Sequence, residues 1–324
     1  MNVKDILLKT LADAGDCYIS GQFLADSIGV SRNAVWKAVK SLEAEGYVIE
    51  SASKGYRLGA DSNRLSRELI CAGITAAELG SEVIVLDSVD STNNYAKDIA
   101  AQGAAHGTVV TADTQTGGKG RLGRTFVSPA GSGLYMSVIV RPAMSVEDSS
   151  MMTTAAACAA AEAVEELCGA PVNIKWVNDL YMNGRKICGI LTEASMGLEM
   201  NSLDYAVIGI GINVRSADLG DELRSIVTNI QDESGRAVDR NRLCAEIINR
   251  LETCLSRIPD RSYLDEYRRR ELLTGNRITA NVGRESLTAT AVGIDDNANL
   301  IVRMDDGTER HIGSGEANLC RVIR

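Results

Sequence analysis

Residues 107–140 read GTVVTADTQTGGKGRLGRTFVSPAGSGLYMSVIV and place Gly118, Gly120 and Gly123 at the G-x-G-x-x-G spacing of dinucleotide-binding loops. A Rossmann loop follows a strand and opens a helix, whose N-terminus receives the pyrophosphate. Here a strand-like run precedes the glycines, but Pro129 and several small residues follow them, and then a second alternating strand begins. The stretch therefore predicts a strand, a loop and a strand, which excludes a Rossmann fold.

The glycine loop is basic in an acidic protein. It contains Lys119, Arg121 and Arg124, whereas the chain of 324 residues has a formal net charge of −9. Glycines permit close approach of the backbone to a ligand, and the cations favour an anionic one. The simpler interpretation is a flexible surface loop with solvated charges. No Gly-Lys-Ser/Thr sequence closes the loop, so it is not a Walker A motif.

The flanking sequence, residues 63–273, predicts a central α/β domain. Several successive strands have no helix between them, which favours a mixed sheet over a doubly wound one. Strands are predicted at 83–87, 107–112, 134–140, 172–176, 186–193 and 205–214. Helices are predicted at 92–102, at 151–167, where an alanine-rich run suits a tightly packed core helix, and in a pair beyond Arg240.

The first region, residues 1–62, predicts a winged helix-turn-helix. Three helical segments precede a strand pair around a Ser-Lys-Gly turn, and Ser20 and Ser31 can cap the second and third helices. Such a unit places its third helix in the DNA major groove. The alternative is a three-helix protein-interaction module. The candidate DNA contacts lie on the third helix and at the wing tip: Ser31, Arg32, Asn33, Trp36, Lys37 and Lys54.

The last region, residues 274–324, predicts five short strands around glycine and Asp-Asp turns, a pattern typical of a small SH3-like β-barrel.

The composition of the whole chain excludes several classes of protein. Eight cysteines without C-x-x-C, together with only two histidines, do not form a zinc site and indicate reduced thiols. The N-terminus does not resemble a signal peptide, and no apolar run approaches the ~18 residues of a membrane span. We therefore expect a cytoplasmic protein.

A second group of ionisable residues lies in KWVNDLYMNGRKICGILTE, residues 175–193. Surface ion pairs around an Asn183-Gly184 hairpin would explain it most simply. Tight packing would explain GIGIN at 209–213, and helix capping would explain Ser91-Thr92-Asn93. Each motif alone is weak.

In order along the chain, these motifs resemble those of bifunctional biotin–protein ligases that also repress biotin operons. The five matches are STN at 91–93, GKGRLG at 118–123, KWVND at 175–179, RKICGIL at 185–191 and GIGIN at 209–213. The resemblance implies an α+β multidomain fold: a winged helix-turn-helix, a mixed-sheet α/β ligase domain similar to class II synthetases, and an SH3-like barrel. Monofunctional members of the family lack the N-terminal DNA-binding domain.

Four positions depart from the family pattern. Lys119 stands where arginine is commoner and lacks arginine's planar guanidinium, while Leu122 stands where a basic residue is frequent. Val177 replaces the usual proline of KWPND. Cys320 occupies a position that is often arginine, with Arg321 next to it, so the sequence leaves open which C-terminal side chain contacts the nucleotide.

The resemblance also implies a reaction and a regulatory role. ATP and biotin, with Mg²⁺, form biotinyl-5′-AMP, and a lysine of a biotin carboxyl carrier domain then takes the biotin. The adenylate is also expected to act as corepressor, promoting a homodimer on operator DNA. By motif position, Arg121 is the central catalytic cation, Lys186 faces the biotin carboxylate, and Asp179 orients or deprotonates the incoming lysine.

The ligand-binding residues implied by the same motifs surround biotin and the adenylate. They are Ser91, Thr92, Asn93, Gln115, Gly118, Lys119, Gly120, Arg121, Asn178, Lys186, Gly189 and Asn213. No protein metal site is predicted, although Mg²⁺ could lie near Asn178 and Asp179. Two alternatives remain: a ligand-sensing repressor with little ligase activity, and a lipoate ligase, whose family has a related core but lacks this winged helix and loop pattern.

Overall fold

The N-terminal region of the computed structural model is a winged helix-turn-helix, as predicted. Throughout the chain, the structure describes residues 2–15, 17–59, 64–141, 149–196, 203–218, 220, 223 and 225–320. The N-terminal elements are α1 (Val3–Asp13), α2 (Gly21–Ile28), α3 (Arg32–Ala44), β1 (Ile49–Ala52) and β2 (Gly55–Leu58). Ser20 Oγ accepts a hydrogen bond from the Phe23 amide at 3.1 Å, and Ser31 Oγ accepts one from the Ala34 amide at 3.2 Å. Both predicted caps are confirmed.

The central region forms a seven-stranded mixed sheet covered by helices. Its elements are α4 (Arg67–Gly73), β3 (Val83–Val89), α5 (Thr92–Ala101), β4 (Val109–Gln115), β5 (Gly133–Val140), α6 (Ser149–Cys168), β6 (Asn173–Lys175), β7 (Asp179–Met182), β8 (Arg185–Met196), β9 (Leu203–Asn213), α7 (Ile230–Ser234), α8 (Arg240–Ser256) and α9 (Leu264–Arg270). The strand order is β3-β4-β5-β9-β8-β7-β6. Only β3 and β4 pair in parallel, so the predicted mixed sheet is confirmed.

Two short helices escaped sequence prediction: α4 and α7. They have seven and five residues, too few for a hydrophobic period to be recognised. The predicted Asn183-Gly184 hairpin is present as the antiparallel pair β7 and β8. The alanine-rich run was predicted correctly, because Ala155–Ala161 of α6 are completely buried. None of the described helices combines the length and the apolar character needed to cross a bilayer.

The C-terminal region is a five-stranded antiparallel sheet in the order β13-β12-β11-β10-β14. Its strands are β10 (Arg277–Val282), β11 (Glu285–Ile294), β12 (Leu300–Arg303), β13 (Glu309–Ile312) and β14 (Glu316–Leu319). Buried side chains such as Ile278 and Leu300 belong to the same apolar cluster as the central core. The Trp176 indole, only 3% exposed, also donates to the Ala298 carbonyl at 3.0 Å. This sheet therefore packs directly against the central domain.

The predicted domain limits stay predictions. The first, between residues 62 and 63, lies outside the described residues, and the second falls in the segment that joins α9 to β10. The prediction of unpaired thiols agrees with the structure, in which all eight cysteines are free and five are buried.

Arg270 joins the two helices α6 and α9. It is 4% exposed, forms ion pairs with Glu165 (2.5 Å) and Glu266 (2.6 Å), and donates to the Val172 carbonyl at 3.1 Å. Burial alone would raise the pKa of Glu165, but hydrogen bonds from Arg270 and the Val172 amide outweigh it and lower that pKa. A carboxylate with a lowered pKa stabilises the fold above its unfolded pKa, and that contribution is lost on acidification.

We predict that Arg270→Ala lowers the free energy of unfolding by about 3 kcal/mol near neutral pH, because it leaves two partly buried carboxylates and the buried Val172 carbonyl without their cation. Arg269→Ala is the matched control, since its side chain is 61% exposed and pairs only with Glu266. That variant should lose less than about 1 kcal/mol. Urea denaturation of both variants tests this, and equal losses would contradict it.

Candidate active site

The glycine loop, residues 116–132, connects the antiparallel neighbours β4 and β5 and folds back on itself. The Phe126 amide donates to the Gly118 carbonyl at 2.9 Å, and the Gly120 amide donates to the Arg124 carbonyl at 2.7 Å. A Cβ on Gly118 would lie 2.3 Å from the Phe126 carbonyl oxygen, so a side chain is excluded there. The predicted close approach at Gly118 is therefore to the loop itself.

Arg121 connects the loop to two other parts of the chain. Its Nη1 donates to Asn178 Oδ1 at 2.9 Å, and its Nη2 donates to the Gly315 carbonyl at 3.1 Å. Both acceptors are neutral, so hydrogen bonds hold the guanidinium without cancelling its charge. The family resemblance implied that Arg121 and Asn178 both contact the ligand, but it gave no signal for Gly315.

Arg124 makes a second connection to the C-terminal sheet. Its guanidinium binds both carboxylate oxygens of Glu316, at 3.1 and 2.5 Å. This hydrogen bonding lowers the pKa of Glu316 and raises that of Arg124. The pair fixes the middle of the loop, because bidentate arginine–carboxylate contacts constrain both partners.

Lys186 and Asp179 form an ion pair across the β7–β8 hairpin. Lys186 Nζ lies 2.7 Å from Asp179 Oδ1, but this buried oxygen receives no hydrogen bond of acceptable geometry. Lys175 lies nearby and donates to Asn318 Oδ1 at 2.6 Å, while burial lowers its pKa. The surface ion pairs expected from composition are therefore partly buried at this end of the hairpin.

A cavity of about 490 Å³ lies between the loop, the hairpin and the C-terminal sheet. Ile226 and Val227 provide apolar lining, and the C-terminal sheet contributes Gly315, Glu316 and Asn318. Its volume suits a nucleotide-sized ligand. Eight of the residues predicted from the sequence line it: Lys119, Gly120, Arg121, Asn178, Asp179, Lys186, Gly189 and Asn213. Gly118 does not line it.

A second cavity, of about 30 Å³, is lined mainly by polar groups and glycines. Ser91, Thr92, Asn93 and Gln115 contribute to its wall. It shares four lining residues with the large cavity: Lys119, Phe126, Gly189 and Leu191. The two spaces therefore form one site with a basic end and a small polar end.

Phe126 separates the two spaces. Its ring lies against the glycine strands, where a Cβ on Gly211 would be 2.7 Å from the ring and a Cβ on Gly189 would be 3.6 Å away. Glycine at 211 is therefore needed to accommodate the ring. Sequence analysis assigned Gly211 to tight packing and Gly189 to the ligand site, but it did not identify Phe126 as the side chain between them.

Hydrogen bonds connect the polar groups of the small cavity. Gln115 Oε1 accepts from the Thr92 amide at 2.9 Å and from Thr92 Oγ1 at 3.1 Å, while its Nε2 donates to Ser128 Oγ at 2.8 Å. Ser91 occupies the N-cap position of α5, but its side chain makes no capping hydrogen bond. The capping explanation for Ser91 is therefore wrong, and its buried hydroxyl lies instead at the cavity wall.

Both polar atoms of the Asn93 side-chain amide form hydrogen bonds with other protein groups. Nδ2 donates to the Leu191 carbonyl at 3.2 Å and to Glu193 Oε2 at 2.9 Å, while Oδ1 is 2.7 Å from Ser137 Oγ. A Cβ on Gly209 would lie 2.1 Å from Asn93 Oδ1. The first glycine of GIGIN is therefore required by the packing of Asn93. Ser137 and Glu193 were not among the predicted site residues.

The remaining ligand candidates lie around the boundary of the two cavities. Lys119 Nζ donates to Asn94 Oδ1 at 2.7 Å, and Asn213 Nδ2 donates to the Thr228 carbonyl at 3.1 Å. No cluster of three metal-binding side chains occurs within the described ranges. Asp179, whose Oδ1 faces Lys186 Nζ without a hydrogen bond of acceptable geometry, is a carboxylate of the large cavity that could contact a cation carried by a ligand.

The predicted DNA contacts lie on an exposed face of the winged helix. Arg32, Asn33, Trp36 and Lys37 are exposed on α3, and Trp36 retains 50% of its accessible surface. Lys54 is exposed at the β1–β2 turn. These positions suit a recognition helix and a wing tip.

Comparisons with known proteins agree with this architecture. Residues 4–57 match an HTH domain, residues 85–213 match the Biotin/lipoate A/B protein ligase family, and residues 274–319 match the Biotin protein ligase C terminal domain. The bifunctional ligase/repressor BirA of Bacillus subtilis is 35% identical, over 94% of this chain and 95% of that protein. Its Escherichia coli namesake is 28% identical, over 93% and 92% of the two chains.

A solved structure, the biotin protein ligase from Aquifex aeolicus in complex with biotin and ATP, superposes with a TM-score of 0.64. It is 27% identical and covers 74% of this chain and 99% of its own. The three family models thus match the winged helix, the central sheet and the C-terminal sheet in turn along this chain. The chain belongs to the biotin–protein ligase family, among its bifunctional ligase/repressor members.

Proposed function

We propose that the protein activates biotin with ATP, transfers it to a lysine of a biotin carboxyl carrier domain, and represses biotin genes with biotinyl-5′-AMP as corepressor. The observation that supports this most directly is that the small polar cavity and the large basic one share four lining residues and meet at Phe126. A nucleotide joined through a carboxyl–phosphate linkage to a polar head group would lie in the large cavity and direct its head group toward the small polar one. Phe126 and Gly189 would then flank the ligand between its two ends.

The first half-reaction brings two anions together. The biotin carboxylate attacks the α-phosphorus of ATP, a new oxygen–phosphorus bond forms, and pyrophosphate leaves with the electrons of the broken bond. Arg121 would stabilise the charge on the phosphoryl oxygens, because its hydrogen-bond partners are neutral. Lys186 would reduce repulsion at the carboxylate. Neither role requires a covalent enzyme nucleophile.

The second half-reaction needs a neutral amine. The carrier lysine attacks the carbonyl of the mixed anhydride, AMP leaves, and the ammonium proton must be removed. Asp179 would orient the lysine or accept its proton, since it lies at the large cavity beside Lys186, which would face the same carboxyl group. The closed loop would also limit the access of water to the adenylate.

Magnesium would be held mainly by the ATP phosphates. Asp179 offers one carboxylate, and Mg²⁺ at nucleotide sites commonly uses one or two carboxylates with phosphates and water. When bound, the ion neutralises phosphate charge. The residues present fit this arrangement without a dedicated protein metal site.

The repressor role rests on the exposed face of α3 and the wing. Residues 1–60 contain seven Lys/Arg and seven Asp/Glu, so one neutral domain would neutralise few phosphates. Two copies on a palindromic operator would double the contacts.

Eight free cysteines support a reducing, cytoplasmic setting. A sensor without ligase activity is less well supported, because Arg121 and Lys186 both line the large cavity.

We predict that Arg121→Ala lowers the rate of adenylate formation by about 10²- to 10³-fold, the usual loss when one donor to a transition-state anion is removed. Rapid-quench assays with biotin and labelled ATP measure this rate. Arg303→Ala is the matched control, since Arg303 pairs with Glu309 on the C-terminal surface and should leave the rate unchanged. An unaltered rate in the Arg121 variant would remove this residue from the mechanism.

Operator titrations should distinguish a residue that contacts bases from one that contacts phosphates. Arg32→Ala should cost about 1–3 kcal/mol of discrimination between operator and random DNA, because residues at the start of a recognition helix contact base edges. Lys54→Ala should weaken both DNAs alike and reduce the salt slope by about 1, because it removes a phosphate contact. Lys9→Ala in α1 controls for the loss of charge. Specific footprinting after deletion of residues 1–60 would refute the assignment.

Biotinyl-5′-AMP should strengthen both dimerisation and operator binding more than biotin does. The basic loop would tighten around the adenylate, and an ordered loop can complete a dimer surface. Sedimentation with a non-hydrolysable adenylate analogue, performed beside operator titrations, tests this. Excess unmodified carrier domain should oppose repression by consuming the natural adenylate. Equal self-association and operator affinity with and without the analogue would rule out the corepressor role.

A further inference from the structure

One carboxylate near the end of α7 accepts hydrogen bonds from two other segments of the chain. Glu233 Oε1 accepts from Arg185 Nη2 and from Thr228 Oγ1, the latter at 2.7 Å, and Glu233 Oε2 accepts from Asn183 Nδ2 at 2.7 Å. The Glu233 side chain is only 6% exposed, whereas that of Arg185 is 45% exposed. Glu233 therefore ties the tip of the β7–β8 hairpin to the segment that precedes α7.

That segment, residues 226–228, lies beside Lys186 where β9 has ended. The Lys186 amide donates to the Ile226 carbonyl at 2.9 Å, and the Thr228 amide donates to the Lys186 carbonyl at 2.8 Å. Pairing of β8 with β9 begins only at Cys188, so these two bonds satisfy backbone groups that β9 does not reach. Segment 226–228 thus extends the sheet by a short parallel bridge.

The same segment contributes an apolar part of the wall of the large cavity. Ile226 and Val227 line this cavity, together with the cations Arg121 and Lys186. Ile226 is 52% exposed, so about half of its surface is available to a ligand. A nucleotide has a charged end and a flat, largely apolar base. The cations suit its phosphates, and the two aliphatic side chains suit its base.

We infer that Glu233 is a positioning residue for the nucleotide: by holding Thr228 against the hairpin, it keeps Ile226 and Val227 in place to contact the base. This inference rests on the proposed function, because it takes the large cavity to hold ATP. The Glu233 carboxylate acts through the position of the wall and not by touching the ligand. A wall that is already in place spares the ligand the free-energy cost of ordering it.

Lys186 is held independently of Glu233. Tyr181 of β7 pairs with Lys186 across the hairpin, and Asp179 Oδ1 lies 2.7 Å from its amine. Loss of Glu233 should therefore weaken the contact with the base, while the cations at the phosphates and at the biotin carboxylate stay where they are. The effect on the two ends of the nucleotide should differ.

Glu233→Met removes all three hydrogen bonds and keeps a side chain of similar length. If the wall is then in place for about a tenth of the time, the KM for ATP rises about 10-fold, while kcat and the KM for biotin change less than about twofold. Product inhibition locates the effect. The inhibition constant of AMP, which carries the base, should rise about 10-fold, and that of pyrophosphate should stay within about twofold. Partial unfolding would instead lower kcat and leave both constants unchanged.

A double-mutant cycle tests whether Glu233 acts through Thr228. Thr228→Val removes the hydroxyl that the carboxylate holds, so it should raise the KM for ATP by a similar factor. In the variant that carries both Thr228→Val and Glu233→Met, the second change should add less than about twofold, because the connection is already broken.

Two further variants separate the hydrogen bonds from the charge. Glu233→Gln keeps an oxygen for Thr228 and Arg185, and the exposed Asn183 amide can turn its own oxygen toward the new NH₂ group. This variant should stay within about threefold of the unaltered KM for ATP. Asp232→Ala is the matched control, because it removes an exposed carboxylate of α7 that bonds within its own turn of the helix. It should leave both inhibition constants unchanged.

Each result has a defined meaning. Equal rises in the inhibition constants of AMP and pyrophosphate, or no rise in either, would overturn the inference and leave the proposed function intact. Additive losses in the double variant, or equal losses in Glu233→Gln and Glu233→Met, would do the same. Absence of ATP-dependent adenylate formation by the unaltered protein would overturn both. A rise confined to ATP and AMP, with retention in Glu233→Gln, is the result that the inference requires.

Discussion

The bridge made by Arg121 is the contact on which the site depends. It joins the glycine loop to Asn178 in the central domain and to the Gly315 carbonyl just before β14 of the C-terminal sheet, over 2.9 and 3.1 Å. Neutral acceptors hold this guanidinium in place, whereas Arg124 and Lys186 are each paired with a carboxylate. The arrangement places a cation in a fixed position while leaving its charge available to a ligand.

Glycines in two motifs permit close packing around the site, and each accommodates a different group. Gly118 permits the loop to fold onto the Phe126 carbonyl, Gly211 makes room for the Phe126 ring, and Gly209 makes room for the Asn93 amide. A motif that resembles a nucleotide fingerprint thus serves mainly to fold the chain around the site. The same packing explains why a small polar cavity lies behind a large basic one.

The sequence predicted the modules well because each has a strong local pattern. The caps at Ser20 and Ser31, the alanine-rich helix and the strands around the glycine loop all follow from spacing and turn residues. Contacts between distant segments carry no such pattern. Glu316 lies 192 residues from Arg124 and Glu193 lies 100 residues from Asn93, so neither pairing could be predicted from local sequence. Ser91 was wrongly expected to cap its helix, because sequence cannot show where a buried hydroxyl points.

In the proposed regulation, the bound adenylate has two roles: it is the intermediate of biotin transfer and the corepressor. If the closed site retains the adenylate, the same bound molecule can wait for a carrier lysine or support the DNA-binding form. The relative amounts of carrier and operator then decide which outcome follows. In the proposed function, this would link the chemistry of the central domain to DNA binding by the winged helix.

The fate of the bound intermediate is therefore the most direct measurement. The protein is mixed with biotin and α-labelled ATP, freed of excess ATP, and then given unmodified carrier domain while bound adenylate, AMP and carrier biotin are followed in time. The account predicts that labelled adenylate stays bound until carrier is added, and that each molecule consumed then yields one AMP and one biotinylated lysine. Rapid release of the adenylate before carrier addition, or biotinylation without its consumption, would contradict the account.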